Sequence, residues 1–78
     1  MSSQPRWRRQ PGDRPQQILE AALRVFQRDG FRRATVDDVA REAGITKGTV
    51  YLYFDSKEAL FIATVRAQFR RVFDLLPA

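Results

Sequence analysis

Residues 35–54 read TVDDVAREAGITKGTVYLYF, and this stretch predicts two short helices joined by a tight turn. Thr35 is a suitable N-cap for the first helix, and Asp38, three residues later, matches the pattern of a capping box. The apolar residues that follow recur at the spacing of one helical face: Val36, Val39, Ala40 and Ala43. The first half of the stretch is therefore expected to bury one side against a core.

The centre of the stretch predicts where the first helix ends and the second begins. Gly44 accepts the left-handed conformation that often ends a helix, and Ile45 is placed to fold back onto the helix it leaves. Thr46 can cap a second helix, whose buried stripe would be Val50 and Phe54. Because so few residues separate the two helices, they are expected to cross steeply, as in a helix-turn-helix.

The outer surface of the second helix differs from an ordinary solvated face, which usually carries Glu and Lys. Off the buried stripe lie hydroxyls, one lysine, one glycine and aromatic or apolar side chains: Lys47, Gly48, Thr49, Leu52 and Tyr53, with Tyr51 on its shoulder. Hydroxyls and amines can hydrogen-bond base edges and phosphate oxygens. A glycine near a helix start costs about 1 kcal/mol of helix propensity relative to Ala but permits close backbone approach. This surface favours a DNA partner.

The chain resembles the N-terminal DNA-binding domain of the tetracycline-repressor (TetR) family of bacterial transcription regulators. The resemblance covers residues 14–74, and its matching string is ILEAALRVFQRDGFRRATVDDVAREAGITKGTVYLYFDSKEALF, residues 18–61. The most specific parts are AGITKGTVY at 43–51 and YFDSKEAL at 53–60. The resemblance implies an all-α fold: a three-helix, homeodomain-like bundle with its helix-turn-helix at 37–56, followed by the start of a long fourth helix.

The same resemblance implies a set of DNA-binding residues. They are Arg33, Thr35, Thr46, Lys47, Gly48, Thr49, Tyr51, Leu52, Tyr53 and Lys57. The four residues from Thr46 to Thr49 take the positions that line the major groove in family members, and the two tyrosines take positions that usually touch phosphates. Leu52 departs from the family's frequent aromatic residue, which leaves contact with a thymine methyl as its expected role.

Several of these residues have a second interpretation. Arg33 is equally well explained as a solvated loop arginine. Capping of the helix alone explains a threonine at position 35, without any contact to DNA. Tyr51 is alternatively a partly buried core ring. Lys57 lies in the first turn of a helix, where a cation is unfavourable unless it meets an anion such as phosphate; alternatively it tolerates a small penalty.

In family members, helix 4 leads into a C-terminal domain that dimerises and binds an effector. The resemblance implies a one-component regulator, most often a repressor released by a small molecule, whose homodimer binds a palindromic operator. That C-terminal domain is expected to be absent from this chain. The alternative is a helical interaction or dimerisation module that uses the apolar distal part of helix 4: Phe69, Val72, Phe73, Leu75 and Leu76.

Length and composition bound these interpretations. Seventy-eight residues allow one domain, and the absence of both Cys and His excludes a disulfide framework and a Cys/His zinc site. No set of side chains has catalytic spacing, so neither an enzyme nor a cofactor is predicted. The longest apolar runs are too short to span a bilayer and no secretory signal opens the chain, which favours a cytoplasmic protein.

The net charge of +5 is unevenly distributed. Residues 1–33 carry eight basic and three acidic side chains, whereas residues 34–58 carry three basic and five acidic ones. A basic domain suits a nucleic-acid partner, but the helix-turn-helix itself is not basic. Most non-specific attraction to DNA is therefore expected from the N-terminal third.

The N-terminal third divides into an arm and a helix. Residues 1–13 are predicted to be a flexible basic arm, in which Arg6, Arg8 and Arg9 surround Trp7; the arm either reaches along DNA or is a solvated tail. Helix 1 is predicted over residues 14–29, with Asp13 as its cap and Gly30 as its end.

Overall fold

The computed structural model describes residues 13–76, which form four helices and no strand. In chain order the helices are α1 (Arg14–Arg33), α2 (Val36–Ala43), α3 (Lys47–Tyr51) and α4 (Lys57–Leu75). The predicted all-α class and the order of helices are confirmed. The predicted arm falls almost entirely within residues 1–12, outside the described residues.

The end of α1 lies further along the chain than the sequence predicted. Gly30 does adopt a positive φ of 81°, so regular helical geometry is interrupted there. One more turn nevertheless follows and carries the helix to Arg33, where the N–H of Ala34 donates to the carbonyl of Gly30 at 3.0 Å. The predicted end at residue 29 is therefore the point where regular helical geometry stops, and the additional turn up to Arg33 was not predicted. The prediction that the Asp13 side chain caps this helix was wrong, because it makes no capping hydrogen bond.

The boundaries of α2 follow the sequence prediction closely. Thr35 Oγ1 accepts from the Asp38 N–H at 3.0 Å, and the Asp38 carboxylate accepts from the Thr35 N–H at 3.1 Å, which completes the capping box. Gly44 ends the helix in the left-handed region at φ 75°. The N–H of Ile45 then bonds back to the carbonyl of Ala40 at 2.9 Å, as in a Schellman motif. These bonds fix the direction in which α3 leaves the turn.

The second helix of the motif, α3, has only five residues. Thr46 caps it as predicted, since Thr46 Oγ1 accepts from the Thr49 N–H at 3.2 Å. Backbone hydrogen bonds continue past its last residue: the Leu52 N–H donates to Gly48 and Thr49, and the Phe54 N–H donates to Val50. The bonded turns therefore reach Phe54, although regular α-helix ends at Tyr51.

The core lies where α1 packs against both α2 and α4, and α3 packs on α2. The buried apolar residues are Ile18, Ala21, Ala22, Val25, Phe26, Ala34, Val36, Val39, Ala40, Val50 and Leu60. Three rings close one end of this core: Phe26 and Phe31 both meet Phe61, with centroids 5.1 and 5.0 Å away. Because α1 packs against both α2 and α4, it is the scaffold that holds the helix-turn-helix in place.

Helix α4 is buried only in its first half. Ser56 caps it by accepting from the Ala59 N–H at 3.0 Å, and Leu60 and Thr64 are buried. Beyond Thr64 the apolar side chains are exposed, including Phe69, Val72 and Phe73. Within residues 13–76 no helix combines the length and apolar character needed to cross a membrane.

An exposed ion network joins α1 to α2. Arg24 Nε lies 2.8 Å from one oxygen of Glu42, Arg28 lies 3.5 Å from the other, and Arg28 also pairs with Asp29 at 3.0 Å. The hydrogen bond from Arg24 lowers the pKa of Glu42 below its ordinary value of 4.5. The hydrogen bond from Arg28 likewise lowers the pKa of Asp29. Both carboxylates are therefore charged more readily in the folded chain than in the unfolded one.

This network predicts a loss of stability in acid. A carboxyl group with a lowered folded pKa contributes stability that is fully present above its ordinary pKa, here near 4.5 for Glu42, and is lost as pH falls through the folded pKa. Glu42→Gln is expected to lower stability slightly at neutral pH and to reduce the acid-side loss. Urea unfolding at pH 7 and at pH 3 measures both effects.

Glu58→Gln, on the exposed face of α4, changes the net charge by the same amount and is the control. If the two variants show the same pH dependence, the Arg24–Glu42 pair does not contribute to stability.

Candidate nucleic-acid interface

The N-terminal half of α3 presents its polar side chains outward. Thr46, Lys47 and Gly48 are exposed and Thr49 is half-buried, while Val50 on the opposite side is buried in the core. The capped turn before α3 and the burial of Val50 together fix the rotation of this short helix. The surface predicted from the sequence to contact DNA is therefore the one that faces solvent.

The hydroxyl groups of Thr46 and Thr49 form a pair, with their oxygens 2.9 Å apart. Thr46 Oγ1 also accepts from the Thr49 N–H. Each hydroxyl carries one hydrogen, and one of the two hydrogens is used between the pair. Whichever way that bond runs, the other hydrogen is left to donate to a partner outside the protein. The pair is thus an outward hydrogen-bond donor held in place by the cap of the helix.

Gly48 leaves an opening in the surface of α3. A Cβ placed on it would meet only Thr46 Oγ1, at 4.0 Å, and its φ is not in the positive region. The fold therefore has room for a side chain at this position and does not need glycine for its backbone. Gly44, by contrast, needs glycine because of its φ of 75°. Intramolecular packing does not explain Gly48, whereas the close approach of a partner would.

The three residues at the end of the motif are exposed. Tyr51 retains 44% of its surface, Leu52 78% and Tyr53 45%. Tyr51 is therefore not the core ring that was the alternative interpretation of it. All three side chains are accessible to a large partner, and the two phenol groups can donate hydrogen bonds to phosphate oxygens.

A shallow groove lies between the start of α2 and the outer side of α3. Thr35, Asp37, Lys47, Tyr51 and Lys57 line it, together with Ala34 and Val36. The groove therefore brings together four of the predicted DNA-binding residues from three parts of the chain. Asp37 is the acidic member, and a phosphate in this groove would have to lie away from it.

Thr35 lines the start of this groove, and Arg33 lies two residues earlier at the end of α1; both are exposed. Thr35 Oγ1 accepts the Asp38 N–H, which uses one lone pair and leaves the hydroxyl hydrogen to donate. The cap therefore does not compete with an outward contact by the same side chain. Arg33, the last residue of α1, has no such anchoring bond among those found in residues 13–76.

Lys57 is oriented differently from the other predicted residues. Its Nζ donates to the carbonyl oxygens of Phe31 at 2.7 Å, Ala34 at 3.1 Å and Arg32 at 3.4 Å. It also lies 4.3 Å from the centroid of the Phe31 ring. The sequence analysis missed these contacts because they join residues more than 20 positions apart. The signal that was present, a cation at the unfavourable end of a helix, predicted either a phosphate contact or a tolerated penalty.

Comparison with known proteins places this geometry in a family. A family model described as "Bacterial regulatory proteins, tetR family" matches residues 18–64, more than half of the chain. The chain belongs to the TetR family. The predicted family is thereby confirmed, and DNA binding and transcription regulation are the roles of that family.

Two proteins of Bacillus subtilis (strain 168) show the resemblance of this TetR-family chain at the level of sequence. The HTH-type transcriptional regulator YfiR is 52% identical over 48 residues, which are 62% of this chain and 23% of YfiR. The fatty acid metabolism regulator protein is 40% identical over 47 residues, or 60% of this chain and 24% of that protein. The matched region is thus about a quarter of the length of either relative.

Two solved structures share the fold. A TetR-like transcriptional regulator from Rhodococcus sp. RHA1 superposes with a TM-score of 0.79 at 37% identity, over 86% of this chain and 37% of that one. The fatty acid degradation regulator FadR from Bacillus halodurans gives a TM-score of 0.75 at 34% identity. The superposition covers 86% of this chain and 34% of FadR. All four of these proteins are named as regulators, and none of the names describes an enzyme.

Proposed function

We propose that this TetR-family domain binds double-stranded DNA in a sequence-specific manner by placing α3 in the major groove. The observation that carries the proposal is the outward face of α3. It combines a free hydroxyl donor from the Thr46–Thr49 pair, an exposed Lys47 and an open backbone at Gly48. These are groups that can bond base edges at close range.

The surrounding residues complete the proposed interface. Arg33, Thr35, Tyr51 and Tyr53 are exposed around α3 and are proposed to contact phosphates, and Leu52 to contact a thymine methyl. The region from 34 to 58 has more acidic than basic residues, so charge alone would bind it weakly to DNA. Hydrogen bonds from neutral donors are therefore expected to supply much of the affinity, with residues 1–33 providing the long-range attraction.

The proposed regulator acts as a homodimer on a palindromic operator. Two copies of α3 would enter successive major grooves, with half-site centres about 34–36 Å apart or at a longer spacing. We further propose that it is a repressor released by a small-molecule effector, and that the effector and dimerisation functions belong to a C-terminal domain beyond residues 14–74. We propose that this regulator acts in the cytoplasm.

A second candidate function uses the distal face of α4. Phe69 and Phe73 retain 59% and 67% of their surfaces, together with exposed Val72, Leu75 and Leu76. Such a face suits a helical interaction or dimerisation module. It would bury apolar area on association and would bind with little dependence on salt.

A binding-site selection with random duplexes, followed by salt titration, tests the proposed function. We expect a palindromic preference, and we expect log K for the selected site to fall linearly and steeply with log salt concentration. The absence of any enriched sequence would contradict sequence-specific binding. Concentration-dependent self-association that is insensitive to salt, without DNA binding, would favour the second candidate.

Gly48→Ala is expected to change stability and DNA binding in opposite directions. The side chain meets no close neighbour in the protein, so the free energy of unfolding should rise by about 0.5–1 kcal/mol through helix propensity. Affinity for the selected duplex should fall, because the added methyl lies where the backbone is proposed to approach DNA. Urea unfolding and fluorescence anisotropy measure the two quantities.

Gly44→Ala is the matched control for that experiment. There too a Cβ meets no neighbour, but the positive φ makes alanine strained, so this variant should lose stability. A Gly48→Ala variant that binds DNA as tightly as the unchanged chain would show that α3 does not approach the groove at this point.

A further inference from the structure

We infer that Lys57 is a positioning residue for the DNA interface, acting as a clamp between α4 and the α1–α2 connection, and that it is not a phosphate ligand. The inference deepens the proposed function and rests on it for the part that concerns DNA. It replaces the role that the family resemblance implied for this lysine.

The geometry at Nζ supports the clamp. An ammonium group has three hydrogens and no acceptor, and three carbonyl oxygens lie within 3.4 Å of Lys57 Nζ. The Phe31 ring lies 4.3 Å away, which adds an attraction of the cation to the ring face. A phosphate contact would have to displace at least one of these carbonyls.

The carbonyls that Lys57 binds are ones that helix geometry leaves without partners. The last carbonyls of a helix have no intrahelical donor, and Phe31 and Arg32 lie in the last turn of α1. Gly30 interrupts the regular helical geometry just before that turn. The cation thus supplies the donors that this end of α1 lacks, which also explains why a lysine is tolerated in the first turn of α4.

The clamped segment carries two residues of the proposed interface. Arg33 and Thr35 lie on either side of Ala34, whose carbonyl is one of the three bound to Lys57 and whose side chain is fully buried. Thr35 is also the N-cap of α2. A displacement of the start of α4 would therefore move two residues of the proposed interface, without any contact between Lys57 and DNA.

The test compares Lys57→Met and Lys57→Arg with the unchanged chain on the duplex from the selection. Lys57→Met keeps a stem of similar length and removes the ammonium; Lys57→Arg keeps the charge but replaces a compact donor with a planar fork. We expect both to bind about tenfold more weakly, with the slope of log K against log salt unchanged. A slope lower by about one in Lys57→Met, with normal binding by Lys57→Arg, would overturn the inference and establish a phosphate contact.

Arg66→Met, which removes an exposed positive charge further along α4, controls for the change in net charge. Binding is compared only where far-UV circular dichroism shows each variant to be folded.

Nuclear magnetic resonance of the unchanged chain provides a test that needs no variant. Without DNA, we expect the Lys57 ammonium to be protected from exchange and to show hydrogen-bond couplings to the carbonyl carbons of Phe31 and Ala34. A rapidly exchanging ammonium would contradict the clamp even if the chain bound DNA as proposed. Conversely, these couplings would support the clamp if the chain failed to bind DNA, so the two proposals fail separately.

Discussion

Lys47→Ala is expected to weaken binding to the selected duplex by about 1–3 kcal/mol and to relax base preference at one position of each half-site. Lys47 is the exposed cation on α3, and it lies beside the Thr46–Thr49 hydroxyl pair and the open backbone of Gly48. An ammonium at this place can bond the O6 and N7 atoms of guanine in the major groove. Anisotropy with the selected duplex and with single-base variants of it measures both effects.

Arg66→Ala is the matched control for Lys47, because it also removes one exposed positive charge but lies on α4 outside the proposed interface. It should leave base preference unchanged. If Lys47→Ala weakened every duplex equally, Lys47 would be a phosphate ligand. If it changed neither affinity nor preference, this side chain would be merely solvated and the proposed base contact would be wrong.

Leu60→Ala is expected to lower the free energy of unfolding by about 2–5 kcal/mol. Leu60 is fully buried where α4 meets α1, and truncation removes apolar contacts while leaving a cavity. A single core of this size rarely supplies more than about 3–5 kcal/mol, so the expected loss is comparable with the whole stability of the domain. Thermal unfolding followed by circular dichroism measures the loss.

Leu75→Ala is the same chemical change on the same helix, at a side chain that retains 83% of its surface. It should change stability by no more than about 0.5 kcal/mol. Equal losses in the two variants would mean that the distal half of α4 is covered, for example by a second copy of the chain. That result would favour the second candidate function over the proposed DNA interface.

The local signals in the sequence predicted most of the fold. The capping box of Thr35 and Asp38 and the cap at Thr46 depend on residues three positions apart, and the left-handed Gly44 on residues at most four positions away. Such signals act between residues within about one helical turn, so they can be recognised from the sequence alone. The outward orientation of α3 was also predictable, because the apolar spacing of Val50 and Phe54 leaves only one side for the polar residues.

The predictions failed where the determining contacts were between distant residues. Gly30 interrupts α1 as predicted, but the further turn that follows it was not predicted; Lys57, 26 positions beyond Phe31, binds the carbonyls of that turn. The spacing within α3 likewise left two interpretations of Tyr51 open, because its exposure depends on how α3 rests on α2. The acceptors of Lys57 were not predicted for the same reason: its sequence neighbours indicated an unfavourable cation, but not which carbonyl oxygens compensate it.

The most direct test of the proposed DNA interface is a titration of the isotope-labelled chain with the selected duplex, followed by amide chemical shifts. The account predicts that the largest changes occur from Thr46 to Tyr53, with smaller ones at Arg33 and Thr35, and that Phe69 to Leu75 are unaffected. Changes confined to the distal half of α4, with α3 unperturbed at saturating duplex, would contradict it.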